Sequence, residues 1–103
     1  MAVKVSADNF VKEVLLSDEI VIADFYSDSC VPCKRISPIL SEIEEENMEI
    51  RIAKINVNID HQTPEKYGVT SVPTLIIFKK GEEKARIVGA VRKSVITEAI
   101  ASI

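Results

Sequence analysis

The sequence has no tryptophan, two cysteines, one histidine and three glycines among 103 residues. Each shortage excludes something. Two cysteines cannot make the many-bridged scaffold of a small secreted domain, and a pair this close in sequence staples nothing. One cysteine pair also falls short of the four ligands of a structural zinc site, unless two chains share the metal. Thirteen basic against sixteen acidic side chains give a net charge of −3. No cationic excess exists to neutralise phosphates, so nucleic acid is not an expected partner. The longest aliphatic runs, 20–23 and 75–78, are far shorter than the roughly 20 apolar residues of a membrane span. The start, Met1-Ala2-Val3-Lys4-Val5, lacks the basic-then-apolar layout of a secretory signal. A cytoplasmic location is therefore expected, in a compartment where thiols are kept reduced.

Apolar residues make up 47% and charged residues 28%, an ordinary soluble composition. A chain of this length buries roughly 60–70% of its extended surface on folding, enough for one core. With no repeat, low-complexity segment or linker, a single domain over 1–103 is expected.

Periodicity orders the elements. Ser6 reads as an N-cap ahead of a helical face carrying Phe10, Val11, Val14 and Leu15. Residues 20–26 form a β-branched apolar run, as a strand covered on both faces should. Over 31–48, Ile36, Ile39, Leu40 and Ile43 fall at helical spacing, and Pro38 should kink that helix. Ile50, Ile52, Ile55 and Val57 mark another strand. Residues 64–68 read as a short helical turn closed by Gly68. Strands over 74–79 and 85–89 are joined through Lys80-Gly81-Glu82, a hairpin signal. A last amphipathic helix carries Val95, Ile96, Ala99, Ile100 and Ile103. This order fits an α/β fold, a central mixed sheet with helices on both faces.

The chemistry centres on Asp24-Phe25-Tyr26-Ser27-Asp28-Ser29-Cys30-Val31-Pro32-Cys33-Lys34. A Cys-x-x-Cys that follows a buried strand and opens a helix places Cys30 at the helix N-terminus, where free N–H groups and the dipole favour a thiolate. The thiolate is the nucleophile of disulfide exchange, so a thiol pKa below about 8.5 makes Cys30 reactive near neutral pH. Cys33, one turn on, is near enough for a disulfide without refolding. Pro32 costs no helical hydrogen bond in the first turn and stiffens it. Asp24 sits inside a strand covered on both faces. Ionising it there without a partner is expensive, so its pKa should rise into the range useful for proton transfer.

The chain resembles a thioredoxin over about residues 20–103. The resemblance is carried by Asp24-Phe25-Tyr26, Cys30-Val31-Pro32-Cys33-Lys34, Pro38-Ile39-Leu40, Ala53-Lys54-Ile55-Asn56-Val57, Tyr67-Gly68-Val69, Val72-Pro73-Thr74, Phe78-Lys79-Lys80-Gly81 and Val88-Gly89. It implies a thioredoxin fold and a dithiol–disulfide exchange that reduces protein disulfides, with Cys30 attacking and Cys33 resolving. It further implies that Asp24 moves the proton of Cys33 and that Lys54 modulates Asp24. Pro73 is implied to be cis and to face the sulfurs, with Val72 offering backbone hydrogen bonds to an extended substrate segment. Val31, Val72, Val57 and Gly89 would form an apolar rim for target proteins. No cofactor is implied; a flavoprotein thioredoxin reductase would restore the dithiol of a monomer.

The sequence departs from the family pattern where partners would touch. Val31 replaces the usual Gly before Pro32, Ser29 replaces the Trp before Cys30, and Tyr26 replaces the strand Trp. Two other readings stay open: an oxidant or isomerase tuned by Val31, and a binding module whose cysteines are incidental. Bland readings also stand for single residues. Asp24 and Lys54 could be a purely structural pair, Pro73 a trans edge proline, Gly89 a bulge, the run 44–46 a solvated helix face and His61 a loop residue.

Overall fold

Alternation along the second strand organises the molecule. In the computed structural model, which describes residues 2–103, β1 (Val3–Val5), β2 (Ile20–Tyr26), β3 (Ile50–Asn56), β4 (Thr74–Lys79) and β5 (Glu82–Val88) form one sheet. Its order is β1-β3-β2-β4-β5. β3 runs parallel to β1 and β2, whereas β4 is antiparallel to β2 and β5, so the sheet is mixed.

Because successive side chains of a strand point to opposite faces, Val21, Ala23 and Phe25 enter one core with Phe10, Val14, Ile55, Ile76 and Phe78. Ile22 enters the other, with Ile52, Leu75 and Ile77 packed against Ile36, Leu40 and Ile43 of α1 (Val31–Glu46) and Ile96 of α3 (Lys93–Ala101). Both faces are thus covered, and the central strand is apolar throughout except at Asp24. Phe10, Tyr67 and Phe78 stack edge to face or tilted, with centroids 5.3–5.8 Å apart, a favoured aromatic geometry.

Several boundaries differ from the sequence reading. Ser6 does not cap a helix. Its N–H instead donates to Asn9 Oδ1 at 2.8 Å, closing a local turn, and the helical segment that follows is one π-helical turn, Val11–Leu15. The Asn9 side chain supplies a bond that competes with continued helix at this point. The three-residue β1 carries too few residues to show a period, and it forms because Val3 and Val5 find Ala53 and Ile55 on β3. α1 ends at Glu46 and continues through Pro38. The short helical turn is α2 (Gln62–Lys66), followed by Gly68 in the left-handed region. β5 starts at Glu82 rather than 85, because Lys80 (φ 52°) and Gly81 (φ 80°) make a two-residue turn that pairs Lys79 directly with Glu82. The irregularity in this hairpin lies opposite Ile77/Phe78, not at Gly89. No helix among the described residues is long and apolar enough to cross a membrane.

Candidate active site

β2 delivers the site. Its C-terminal end, where Phe25 pairs with Thr74, lies beside the start of β4, and Thr74 pairs in turn with Val88 at the end of β5. The loop after β2, the Val72–Pro73 segment before β4 and Gly89 after β5 therefore gather at one end of the sheet. Gly89 N–H donates to the Pro73 carbonyl at 2.8 Å, and the Val72–Pro73 peptide is cis.

Cys30 is the N-cap of α1, in extended conformation, and its Sγ accepts the Cys33 N–H at 3.1 Å. An N–H of the first helical turn thus points at this sulfur. Pro32 lies in that same turn, where the missing N–H costs nothing. A disulfide joins Cys30 to Cys33 across a Cα–Cα distance of 5.2 Å. Cys30 keeps 9% exposure against 5% for Cys33, so Cys30 is the more accessible residue of the pair. Val31 between them is 58% exposed, an apolar side chain standing in solvent beside the disulfide. Val57 and Val72 are half-buried.

The loop that carries Cys30 is held from β3. Asp28 N–H donates to Asn58 Oδ1 at 2.8 Å, Asn56 Nδ2 donates to Asp28 Oδ1 at 3.0 Å, and Val57 N–H donates to the Tyr26 carbonyl at 2.8 Å. Asn58 and Asp28 are contributors that sequence reasoning missed. Partners separated by about thirty positions leave no local pattern, and exposed Asn and Asp read as ordinary loop residues.

Asp24 and Lys54 are register partners on β2 and β3 and share the α1 face of the sheet. Asp24 is 1% exposed, and its Oδ1 has no hydrogen-bond partner among the described residues. Burial pushes its pKa from 3.8 up to about 6, the Lys54 charge opposing that rise in part. Lys54 is not ion-paired to it. The ammonium lies 3.4 Å from Ser37 Oγ and 4.7 Å from the centre of the Tyr26 ring. The Tyr26 phenol is also held above its ordinary pKa, chiefly by burial and then by the Asp28 and Asp24 charges. Among the described residues, no group of three or more His, Cys, Asp or Glu side chains is placed to hold a metal ion.

A thioredoxin family model matches residues 1–102. A thioredoxin of Acidithiobacillus ferridurans is 43% identical over 94 residues, covering 90% of this chain and 87% of that protein. A thioredoxin of Rickettsia conorii is 40% identical over 95 residues, covering 91% and 90%. A chloroplastic M-type thioredoxin of Brassica napus is 44% identical over 88 residues, covering 84% of this chain and 50% of that protein. With a Cys-Val-Pro-Cys pair at a helix N-terminus, a mixed sheet covered on both faces, and matches of this extent, the chain belongs to the thioredoxin family.

Proposed function

We propose that the chain reduces disulfides of target proteins through Cys30 and Cys33 and is itself re-reduced by a flavoprotein thioredoxin reductase, in the cytoplasm and without a bound cofactor. The observation that carries this reading is the Cys33 N–H directed at Cys30 Sγ on the accessible side of a helix-capping Cys-x-x-Cys.

In the reduced protein the Cys30 thiolate attacks one sulfur of a target disulfide. A Cys30–target bond forms, the target's own S–S bond breaks, and one target thiolate leaves and takes up a proton. Cys33 then loses its proton, for which the Asp24 carboxylate is the acceptor in this reading, and attacks Cys30 Sγ. The internal disulfide forms and the second target thiolate is released. Two electrons pass to the target, and the internal disulfide holds the oxidised state. Val31, Val72, Val57 and Gly89 would receive an extended apolar target segment, with the Val72 backbone pairing to it and Pro73 beside the sulfurs. Val31 adds exposed apolar surface at that place.

The test combines two variants with one equilibrium measurement. Cys30→Ser abolishes reduction of a protein disulfide, and Cys33→Ser accumulates covalent mixed disulfides with targets. Full activity in Cys30→Ser would overturn the reading. The reduction potential of the pair, measured by alkylation and mass in defined dithiol buffers, is expected near the thioredoxin value of about −270 mV rather than the about −180 mV of a disulfide isomerase. A value near the latter would make the chain an oxidant or isomerase.

A further inference from the structure

Lys54 separates two hollows. On one side is a chamber of about 130 Å³ lined by Asp24, Ser37, Ser41 and their neighbours, and on the other a cleft of about 370 Å³ lined by Tyr26, Asp28, Asn56 and others. Among the described residues, Lys54 is the one shared by both linings. Its ammonium does not turn to the buried carboxylate of its register partner, although that carboxylate has an oxygen with no partner. It is held instead by the Ser37 hydroxyl of α1 and by the face of the Tyr26 ring at the end of β2. A buried carboxylate with an unpartnered oxygen is a strong anchor for a nearby ammonium, so the position of Lys54 needs the two contacts that keep it elsewhere.

We propose that Ser37 and Tyr26 are positioning residues that latch the Lys54 ammonium at the mouth of the Asp24 chamber and so prevent its capture by the carboxylate in a closed ion pair. The latch leaves the acid free to exchange a proton with the chamber. Its catalytic meaning rests on the reading of Asp24 as the acceptor for Cys33, but the latch itself is a property of the oxidised protein too. Among the described residues, few other groups bear on Asp24. Lys4 on β1 lies beyond Lys54 in register, Tyr26 and Asp28 follow on its own strand and loop, and Leu75 opposite on β4 is apolar. α1 adds the Ser37 and Ser41 hydroxyls to the chamber. The upward displacement of the Asp24 pKa agrees with a cation kept at a distance, because burial outweighs the Lys54 charge.

The test is a ¹³C NMR titration of the Asp24 carboxyl in the oxidised protein, where neither cysteine titrates. In Ser37→Ala combined with Tyr26→Leu, Lys54 falls onto Asp24, and proton affinity drops about tenfold or more, as for a carboxylate gaining an opposite charge within hydrogen-bonding range. Tyr26→Phe keeps the ring face and leaves the titration as in the parent. With Lys54→Met in place, the double substitution no longer lowers the proton affinity. An unchanged or higher proton affinity in the double variant overturns the proposal, and so does the same drop when Lys54 is Met. Should the double variant not fold, Ser37→Ala alone removes a single hydroxyl and must shift the titration in the same direction. Because no turnover is measured, failure here leaves the Cys30→Ser result untouched, and failure of that result leaves this one readable.

Discussion

Replacing Asp24 by Asn should stabilise the protein at neutral and alkaline pH and do nothing in acid. The carboxyl is 1% exposed with an unpartnered oxygen, and its pKa is raised from 3.8 to about 6. The folded state therefore binds this proton more tightly than the unfolded state. The favourable contribution of the neutral acid is complete below pH 3.8 and is lost as pH rises through about 6. Each pKa unit corresponds to about 1.36 kcal/mol, so the ionised carboxylate costs about 3 kcal/mol of stability at pH 8. Asparagine retains the shape and polarity of the protonated acid but cannot ionise. Urea unfolding of the oxidised parent and Asp24→Asn at pH 4, 6 and 8 measures the difference, in which all other titrating groups cancel. At pH 4, just above the unfolded pKa, the two proteins should differ by only about 0.5 kcal/mol. At pH 8 the variant should be more stable by about 3 kcal/mol, a midpoint shift of about 1–3 M urea. A gap that is absent at pH 8, or equally large at pH 4, would refute the argument that burial without a partner governs this group.

Other consequences are equally direct. Gly81 (φ +80°) would place a Cβ 2.7 Å from the Leu15 carbonyl oxygen, whereas Gly68 (φ +66°) has open space. Gly68→Ala should lose about 1–2 kcal/mol from backbone conformation alone, and Gly81→Ala distinctly more; equal losses in thermal or urea unfolding would show that the hairpin yields freely. Asp60 is buried and accepts both the Thr63 N–H at 3.1 Å and the Thr63 hydroxyl at 2.6 Å, capping the first turn of α2. Asp60→Ala should destabilise by about 1–2 kcal/mol in urea unfolding, and a loss within error of zero would show that this turn is held from elsewhere.

Sheet and helices were legible because their signals are local. The β-branched run over 20–26 and the helical spacing of Ile36, Leu40 and Ile43 reach the two cores where such patterns must go. Ser6 misled because Ser before an apolar face is also a turn former, and the Asn9 side chain decided between the two. β1 was illegible, since three residues define no period and its pairing is supplied entirely by β3.

By itself the sequence determined the chemistry. A Cys-x-x-Cys at the opening of a helix, with a proline in the first turn and an acid in the preceding strand, contains its own electrostatics within ten consecutive residues, 24–33. Only the tertiary structure decided how that acid is kept. Lys54 is thirty positions from Asp24, seventeen from Ser37 and twenty-eight from Tyr26, and its ammonium can satisfy only some of these neighbours at once. Which of them it meets depends on strand register and on the face that α1 presents, and those are set by the packing of the whole sheet rather than by any stretch of chain.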